Sequence, residues 1–286
     1  MRFDLHVHTT ASDGTLSPSQ IVSVAASKNL AAVAITDHDT VSGVHEGLCT
    51  AAQIAPNLTV VPGVELSATY NGRDVHILGY FVNPRDESLR AHLEALRAAR
   101  LERATCIVET LRTAGYSITV ESVRELSGDG AVGRSHIARS LVQSGYAADV
   151  TDAFERLLGR GRPFYAPKDV RAPSEVISTI RNASGLPVLA HPGVTGVDDI
   201  ISSLATEGLW GVEVYHPDHT PEQRAHYSDL AGRLGLRVTG GTDYHGPHAP
   251  GPALGELDMP SEILTTLLDA GQGGLAARTQ QGSAGL

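Results

Sequence analysis

Histidines and carboxylates recur in this chain at the ends of short apolar runs, and the chemistry open to such a set is the binding of divalent metal ions. The first run ends in His6-Val7-His8, the second in Asp37-His38-Asp39 and the third in Gly63-Val64-Glu65, while the fourth carries His76. Later runs lead into His191-Pro192, His216-Pro217 and Asp243-Tyr244-His245. Side chains at i and i+2 of a strand share a face, so His6 and His8 can reach one ion together. Neutral imidazole and carboxylate suit zinc, iron and manganese, and the absence of cysteine from the set argues against a thiolate-held structural zinc. With Asp13 the candidates are His6, His8, Asp13, His38, Glu65, His76, His191, Asp243 and His245. These are too many for one ion and enough for two or three if Glu65 bridges. Each piece alone has an ordinary reading: a turn carboxylate for Glu65, a helix cap for Asp37 and Asp39, loop polarity for Asp243 and His245. The set does not, because charge buried at strand ends is costly unless paired or metal-bound. His92 and His226 fall within helical segments and read as solvated surface, and His45, His219 and His248 take no role.

The elements that must position these groups are legible in the same runs. Strands are expected at Phe3–Val7, Ala31–Thr36, Leu58–Leu66, Asp74–Phe81, Leu186–Ala190, Gly211–Tyr215 and Arg237–Gly240. Their near-continuous apolarity suits strands covered on both faces. Amphipathic helices fit between many of them. Ser17-Pro18-Ser19-Gln20 and Thr220-Pro221-Glu222-Gln223 each offer an N-cap, a proline at the first helical position and a glutamine placed to close a capping box. Alternating strand and helix predicts an α/β fold of βα units, and in a β/α barrel the C-terminal strand ends converge on the rim where active sites form. From about 86 to 165 no strand is expected; Leu89, Leu93 and Leu96, then Ala104, Val108 and Leu111, step at helical spacing. Further helices are expected at Gly133–Ser144 and Asp149–Leu158. The reading is therefore a barrel in two parts, 1–85 and 166–270, with a helical insertion at 86–165 over the active site and a disordered tail at 271–286.

Composition bounds the partners. The 286 residues carry a formal net charge of −10, against the basic excess normal for duplex DNA binding. Cys49 and Cys106 form neither a CxxC pair nor a disulfide framework, as expected of a reducing, cytoplasmic setting. The first residues lack the apolar run of a signal peptide, and no stretch approaches ~18 apolar residues, so no membrane span is expected. The sequence sets no oligomeric state.

Taken in order, His6-Val7-His8, Ser12-Asp13-Gly14, Thr36-Asp37-His38-Asp39-Thr40, Pro62-Gly63-Val64-Glu65, His191-Pro192 and Thr242-Asp243-Tyr244-His245-Gly246 resemble the PHP (polymerase and histidinol phosphatase) family of metal-dependent phosphoesterases. The resemblance spans Met1 to about Gly255. It implies a distorted (β/α)7 barrel and a trinuclear site of Mn2+, Fe2+ or Zn2+. One ion would take His6, His8, Glu65 and Asp243; a second Glu65, His76 and His191; a third Asp13, His38 and His245. Gly133-Arg134-Ser135-His136-Ile137-Ala138-Arg139, Gly159-Arg160-Gly161-Arg162-Pro163, Tyr165-Ala166-Pro167-Lys168 and Glu213-Val214-Tyr215-His216-Pro217 are similar to one branch of that family. Its members are 3′,5′-nucleotide bisphosphate phosphatases and 5′–3′ exoribonucleases. By that resemblance Arg134 and His216 hold substrate phosphate, with Arg160 and Lys168 as further contacts.

The expected reaction is metal-assisted hydrolysis, in which hydroxide made available near neutral pH attacks phosphorus in line. Arg134 offsets the developing charge, His216 orients the substrate or protonates the leaving oxygen, and Asp37 and Asp39 orient ligand imidazoles. The substrate is expected to be a small phosphorylated molecule: a nucleoside 3′,5′-bisphosphate losing its 3′-phosphate or, alternatively, the 5′ end of a short RNA. Two rivals stand beside it. An amidohydrolase-type enzyme would want a strand lysine, which no run supplies, and a non-catalytic metal-binding scaffold would not need the full ligand set.

Overall fold

The computed structural model describes residues 1–128, 130–167 and 171–282. Seven strands form one curled sheet in chain order: β1 (Phe3–Val7), β2 (Ala32–Ile35), β3 (Thr59–Tyr70), β4 (Arg73–Tyr80), β5 (Leu186–Leu189), β6 (Gly211–Tyr215) and β7 (Arg237–Gly240). Neighbours are parallel except around β4, which runs antiparallel to both β3 and β5. The curl returns the chain after β7 to β1: Val7 bridges Tyr244, and His8 N–H donates to the Tyr244 carbonyl at 2.9 Å. The molecule is thus a distorted seven-stranded α/β barrel.

The sheet departs from a simple series of βα units at one place, for a local reason. β3 runs on to Tyr70, beyond the expected end at Leu66, because Asn71 and Gly72 both adopt positive φ (49° and 71°). A two-residue turn with two left-handed positions folds the chain into a hairpin. β4 therefore meets the rim with its first half, and His76 lies there opposite Ser67 in mid-strand, not at a C-terminal end.

Helices cover the outside. Both expected capping boxes form. Gln20 N–H donates to Ser17 Oγ at 3.2 Å, and Gln223 N–H donates to Thr220 Oγ1 at 3.3 Å. The glutamine side chains reply, accepting from Ser17 N at 2.8 Å and from Thr220 N at 2.9 Å. Helix Pro18–Ser27 buries Ile21, Val22 and Ala25 against Val33 and Ile35 of β2. Helices Pro173–Asn182, Asp198–Thr206 and Pro221–Leu234 cover the β3–β6 side. A shift of register between Asp4 and Val7 re-aims β1. Phe3 and Leu5 join Leu78, Val188 and the C-terminal helix, whereas Val7 packs under Pro18–Ser27, leaving His6 and His8 on the other face.

Between β4 and β5 the chain forms helices Glu87–Thr113, Val120–Ser127 and Arg134–Gln143, then Val150–Ala153 continued by a π-turn at Phe154–Leu158. Ala104, Ile107, Leu111, Ile137, Leu141 and Leu158 belong to a hydrophobic cluster drawn wholly from this segment and the residues beside it. At the other end, helix Ser261–Gly282 passes through Gly271, where composition alone reads as a disordered tail. Ile263, Leu264 and Leu267 anchor it in the barrel, and Gly271 is packed so closely on Phe81 that a Cβ would lie 2.5 Å from the ring. Residues 283–286 lie outside the described residues. No helix among those described is long and apolar enough to cross a membrane.

Gly241 is where β7 closes on β1: a Cβ there would meet His6 N and Cβ at 2.4 Å. Gly241→Ala should lower stability by about 1–3 kcal/mol through overpacking, read as a shift in the urea midpoint. An unchanged midpoint would mean that the two strands are not closed at this residue.

Candidate metal centre

Glu65 ends up fully buried at the rim with five imidazoles around its carboxylate. Its Oε2 lies 3.2 Å from His6 Nε2, 3.2 Å from His8 Nε2 and 3.1 Å from His38 Nδ1. Its Oε1 lies 2.8 Å from His76 Nδ1 and 3.1 Å from His191 Nε2. Asp243 Oδ1 faces the same two histidines of β1, 3.3 Å from His6 Nε2 and 3.0 Å from His8 Nε2. Asp13 Oδ1 is 3.4 Å from His245 Nε2 and 3.8 Å from His8 Nδ1. The nine candidate ligands therefore converge. Three overlapping groups have the spacing to hold an ion: His6, His8, Glu65 and Asp243; His38, Glu65 and His76; His8, Asp13, His38 and His245. Relative to the ligand sets implied by the sequence, the second group has His38 where His191 was expected, with His191 Nε2 3.1 Å from Glu65 Oε1, and the third also takes in His8.

The donor set fits divalent cations by a test of its own hydrogen bonding. His6 Nδ1 lies 2.9 Å from Glu213 Oε1, so a neutral ring keeps its proton there and turns the Nε2 lone pair toward Glu65 and Asp243. His245 Nδ1 is likewise 2.7 Å from the Asp243 carbonyl, which leaves Nε2 unprotonated toward Asp13. Lone pairs thus face carboxylate oxygens in a buried space. His8 Nδ1 and Nε2, His38 Nδ1, Asp13 Oδ1 and Asp243 Oδ1 are buried with no hydrogen bond of normal geometry. Buried acceptors facing acceptors need a cation between them. Ligand atoms ~2.1 Å from one ion at tetrahedral or octahedral angles stand ~3.0–3.4 Å apart, the spacing observed. Electrostatics agree. Burial disfavours charge on every group, but at His8 the nearby Asp243 and Glu65 carboxylates outweigh it and lift the imidazole to about 10, so the site draws in positive charge. Burial likewise opposes ionisation of Glu65, and His38, His76 and His6 overcome it and hold the carboxyl well below its usual range.

Around the cluster stands a layer of buried groups that fix its parts. Glu213, fully buried in β6, takes His6 Nδ1 on one oxygen and the His191 backbone N–H on the other, at 2.9 Å each. Asp4 accepts from Thr242 N at 2.9 Å, Thr242 Oγ1 at 2.5 Å and Gly255 N at 2.8 Å, which seats the residue before Asp243. His219 ties the Val214 carbonyl to Gly193 N–H. Glu213 and Asp4 had no place among the sequence candidates, although each is a lone carboxylate inside an apolar strand, Gly211-Val212-Glu213-Val214-Tyr215 and Phe3-Asp4-Leu5-His6-Val7. That pattern is the signal for a buried partner.

Several expectations change. Asp37 was expected to act on the imidazoles; its Oδ1 accepts Thr9 N and Ser12 Oγ at 2.7 Å each and its Oδ2 accepts Thr9 Oγ1 at 2.8 Å. It holds the loop that carries Asp13. Asp39 does not cap the following helix, which starts at Ser42 behind Val41. It accepts from Ser67 N at 2.7 Å and Ser67 Oγ at 2.9 Å, and it pairs with Arg100. His92 is buried and not solvated, being 2% exposed, whereas His226 is on the surface as expected.

The anion-holding candidates lie at different distances from this centre. His216 joins it: Asp218 N–H donates to its Nδ1 at 3.2 Å, so a neutral ring carries its proton on Nε2, 3.5 Å from Asp243 Oδ2. Arg134 stands on the His76 side, donating through Nη2 to Asp74 at 3.1 Å, two residues along β4 from His76, with its guanidinium over Phe154 and Tyr165. Arg160 is exposed beside Gly72 at the β3–β4 turn, and Lys168 lies outside the described residues. Asp13, His216, Asp243 and His245 open into a cleft of about 800 Å³, whose other walls include Val142, Val150 and Phe154.

Glu213→Gln leaves one acceptor oxygen where His6 and His191 need two. It should weaken metal binding about 10–100-fold without unfolding the chain, as read by metal titration beside circular dichroism. Unaltered affinity would show that Glu213 does not set the His6 tautomer.

A family model described as the PHP domain matches residues 4–160. The chain is 32% identical over 264 residues to a 3′,5′-nucleoside bisphosphate phosphatase of Chromobacterium violaceum, covering 90% of this chain and 92% of that protein. It is 33% identical over 251 residues to a 5′-3′ exoribonuclease of Haemophilus influenzae, covering 86% and 90%. A solved structure from Bifidobacterium adolescentis, assigned as a metal-dependent phosphoesterase, superposes with a TM-score of 0.87 at 33% identity, covering 94% of this chain and 96% of that one. The motifs, the curled barrel and the buried histidine–carboxylate cluster have a common origin: this chain belongs to the PHP domain family.

Proposed function

We propose that the protein is a metal-dependent phosphoesterase that removes the 3′-phosphate of a nucleoside 3′,5′-bisphosphate and leaves the 5′-monophosphate. The observation that carries the reading is the cluster of buried, cation-demanding ligands opening into a cleft of about 800 Å³, a volume suited to a mononucleotide. Two or three manganese, iron or zinc ions would be held by His6, His8, Asp13, His38, Glu65, His76, His191, Asp243 and His245. When bound, they supply Lewis-acid polarisation of the phosphoryl group and an activated water.

The chain's own residues do the rest. His216 presents Nε2–H beside Asp243, placed to hold a phosphate oxygen or to protonate the departing oxygen. Arg134, its fork braced by Asp74 and its plane by two aromatic rings, offers the geometry that matches a phosphate. Val142, Val150 and Phe154 give the cleft an apolar wall against which a nucleoside packs. The amide-hydrolysing alternative lacks its lysine: the chain's lysines are Lys28 and Lys168, and no described strand carries either. The exoribonuclease reading uses the same centre on a longer leaving group, and similarity to the Haemophilus protein favours keeping it as the second reading.

Manganese-loaded protein should release phosphate from adenosine 3′,5′-bisphosphate and yield AMP, with less activity on AMP itself and on a short 5′-phosphorylated RNA. His8→Ala and Asp243→Ala should bring turnover to background with the fold kept. Arg134→Ala should raise KM about 10–100-fold, the worth of a charged hydrogen bond, with metal content unchanged. Turnover of the RNA alone moves the chain to the second reading. Silence on every phosphate ester by metal-loaded protein overturns both.

A further inference from the structure

The candidate ligands divide by what holds them in place. His6 and His191 are fixed by Glu213, and Asp243 follows Thr242, which Asp4 seats. All of these are barrel residues. Asp13 is different: its side chain is oriented from the helical segment. Ser135 Oγ donates to Asp13 Oδ2 at 2.9 Å, and Arg139, one turn further along the same helix, donates through Nη2 to the Asp13 backbone carbonyl. With Oδ2 and the carbonyl engaged, Oδ1 is the oxygen left to face His8 and His245.

The segment meets this loop at further points. Ala131 N–H donates to the Ala11 carbonyl at 3.1 Å. Gly130 comes so near that a Cβ would lie 2.8 Å from the Thr10 carbonyl oxygen and 2.9 Å from that of Ala11. On the neighbouring loop, Arg100 of helix Glu87–Thr113 reaches Asp39, the residue after His38, and donates through Nη2 to Ser67 Oγ at 3.2 Å. The segment has its own hydrophobic cluster and so docks on the barrel as a packed unit.

We propose that Ser135 and Arg139 are positioning residues for Asp13, so that occupancy of the Asp13–His38–His245 position depends on docking of the helical segment, whereas the His6–His8–Glu65–Asp243 position does not. The proposal rests on the metal-dependent reading above. It adds a coupling, because Ser135 and Arg139 also line the cleft that the substrate enters. A ligand lodged there touches the helix that sets a metal-binding carboxylate, and binding of the two is linked in both directions.

The test is calorimetric titration of metal-stripped full-length protein with Mn2+, read as stoichiometry and affinity per equivalent. Wild-type protein should bind more than one equivalent. In Ser135→Ala/Arg139→Gln, one equivalent should bind about 10–100-fold more weakly while the rest keep wild-type affinity. Ser135→Thr, which keeps the hydroxyl, should bind as wild type does. So should Arg156→Gln, a change in the same segment at a residue whose partners are Asp152 and Tyr146. An unchanged isotherm in the double variant overturns the proposal, as does equal weakening of every equivalent with the circular dichroism spectrum intact. Wild-type protein that binds no Mn2+ would overturn the metal-dependent reading itself, before any variant is compared.

Discussion

One carboxylate organises this molecule. Glu65 is sealed from water, and its two oxygens face five imidazole nitrogens, three on one side and two on the other. In a medium of low dielectric such an arrangement is tolerable only when positive charge lies between the groups. Protons meet the demand in part, as the raised His8 shows, but neutral His6 and His245 rings keep their protons on the far sides and turn lone pairs inward. Divalent ions meet it fully. The strand ends, loops and supporting carboxylates can be read as the scaffold for holding these groups at ~3 Å from one another.

That requirement explains features of the fold that otherwise look irregular. The register shift in β1 turns His6 and His8 inward while Val7 stays under the outer helices. The hairpin at Asn71-Gly72 reverses β4 and so brings His76 to Glu65 from mid-strand. Asp4, Asp37, Asp39 and Glu213 are each buried, and each is used to pin a loop or a ring. Buried carboxylates of this kind add little to stability and much to geometry, because each leaves one arrangement of its donors far better than the alternatives.

Much of this was legible in the sequence. The seven apolar runs fall on the seven strands, both capping boxes form, and the histidines and carboxylates at the strand ends converge. What escaped was set by tertiary packing. The antiparallel course of β4 depends on two left-handed residues whose composition also suits an ordinary loop. The C-terminal helix continues through Gly271 because Phe81 lies against it, a contact between distant parts of the chain that composition does not report. His92, with helical spacing to either face, went inward. Asp37 sits in the motif beside His38 and looks like a partner for imidazole, yet Thr9 and Ser12 claim both its oxygens. Glu213 and Asp4 could have been found, since a single acid inside an apolar strand has to have a buried donor.

The central claim is that Glu65 bridges divalent ions. The direct measurement is anomalous diffraction, at the metal absorption edge, from crystals of protein loaded with manganese or zinc. The account predicts peaks on both sides of the Glu65 carboxylate, each ~2.0–2.3 Å from its nearest ligand atoms, one beside His6 and His8 and another beside His76. A map with no anomalous signal, in which the imidazoles hydrogen-bond directly to Glu65, would contradict it.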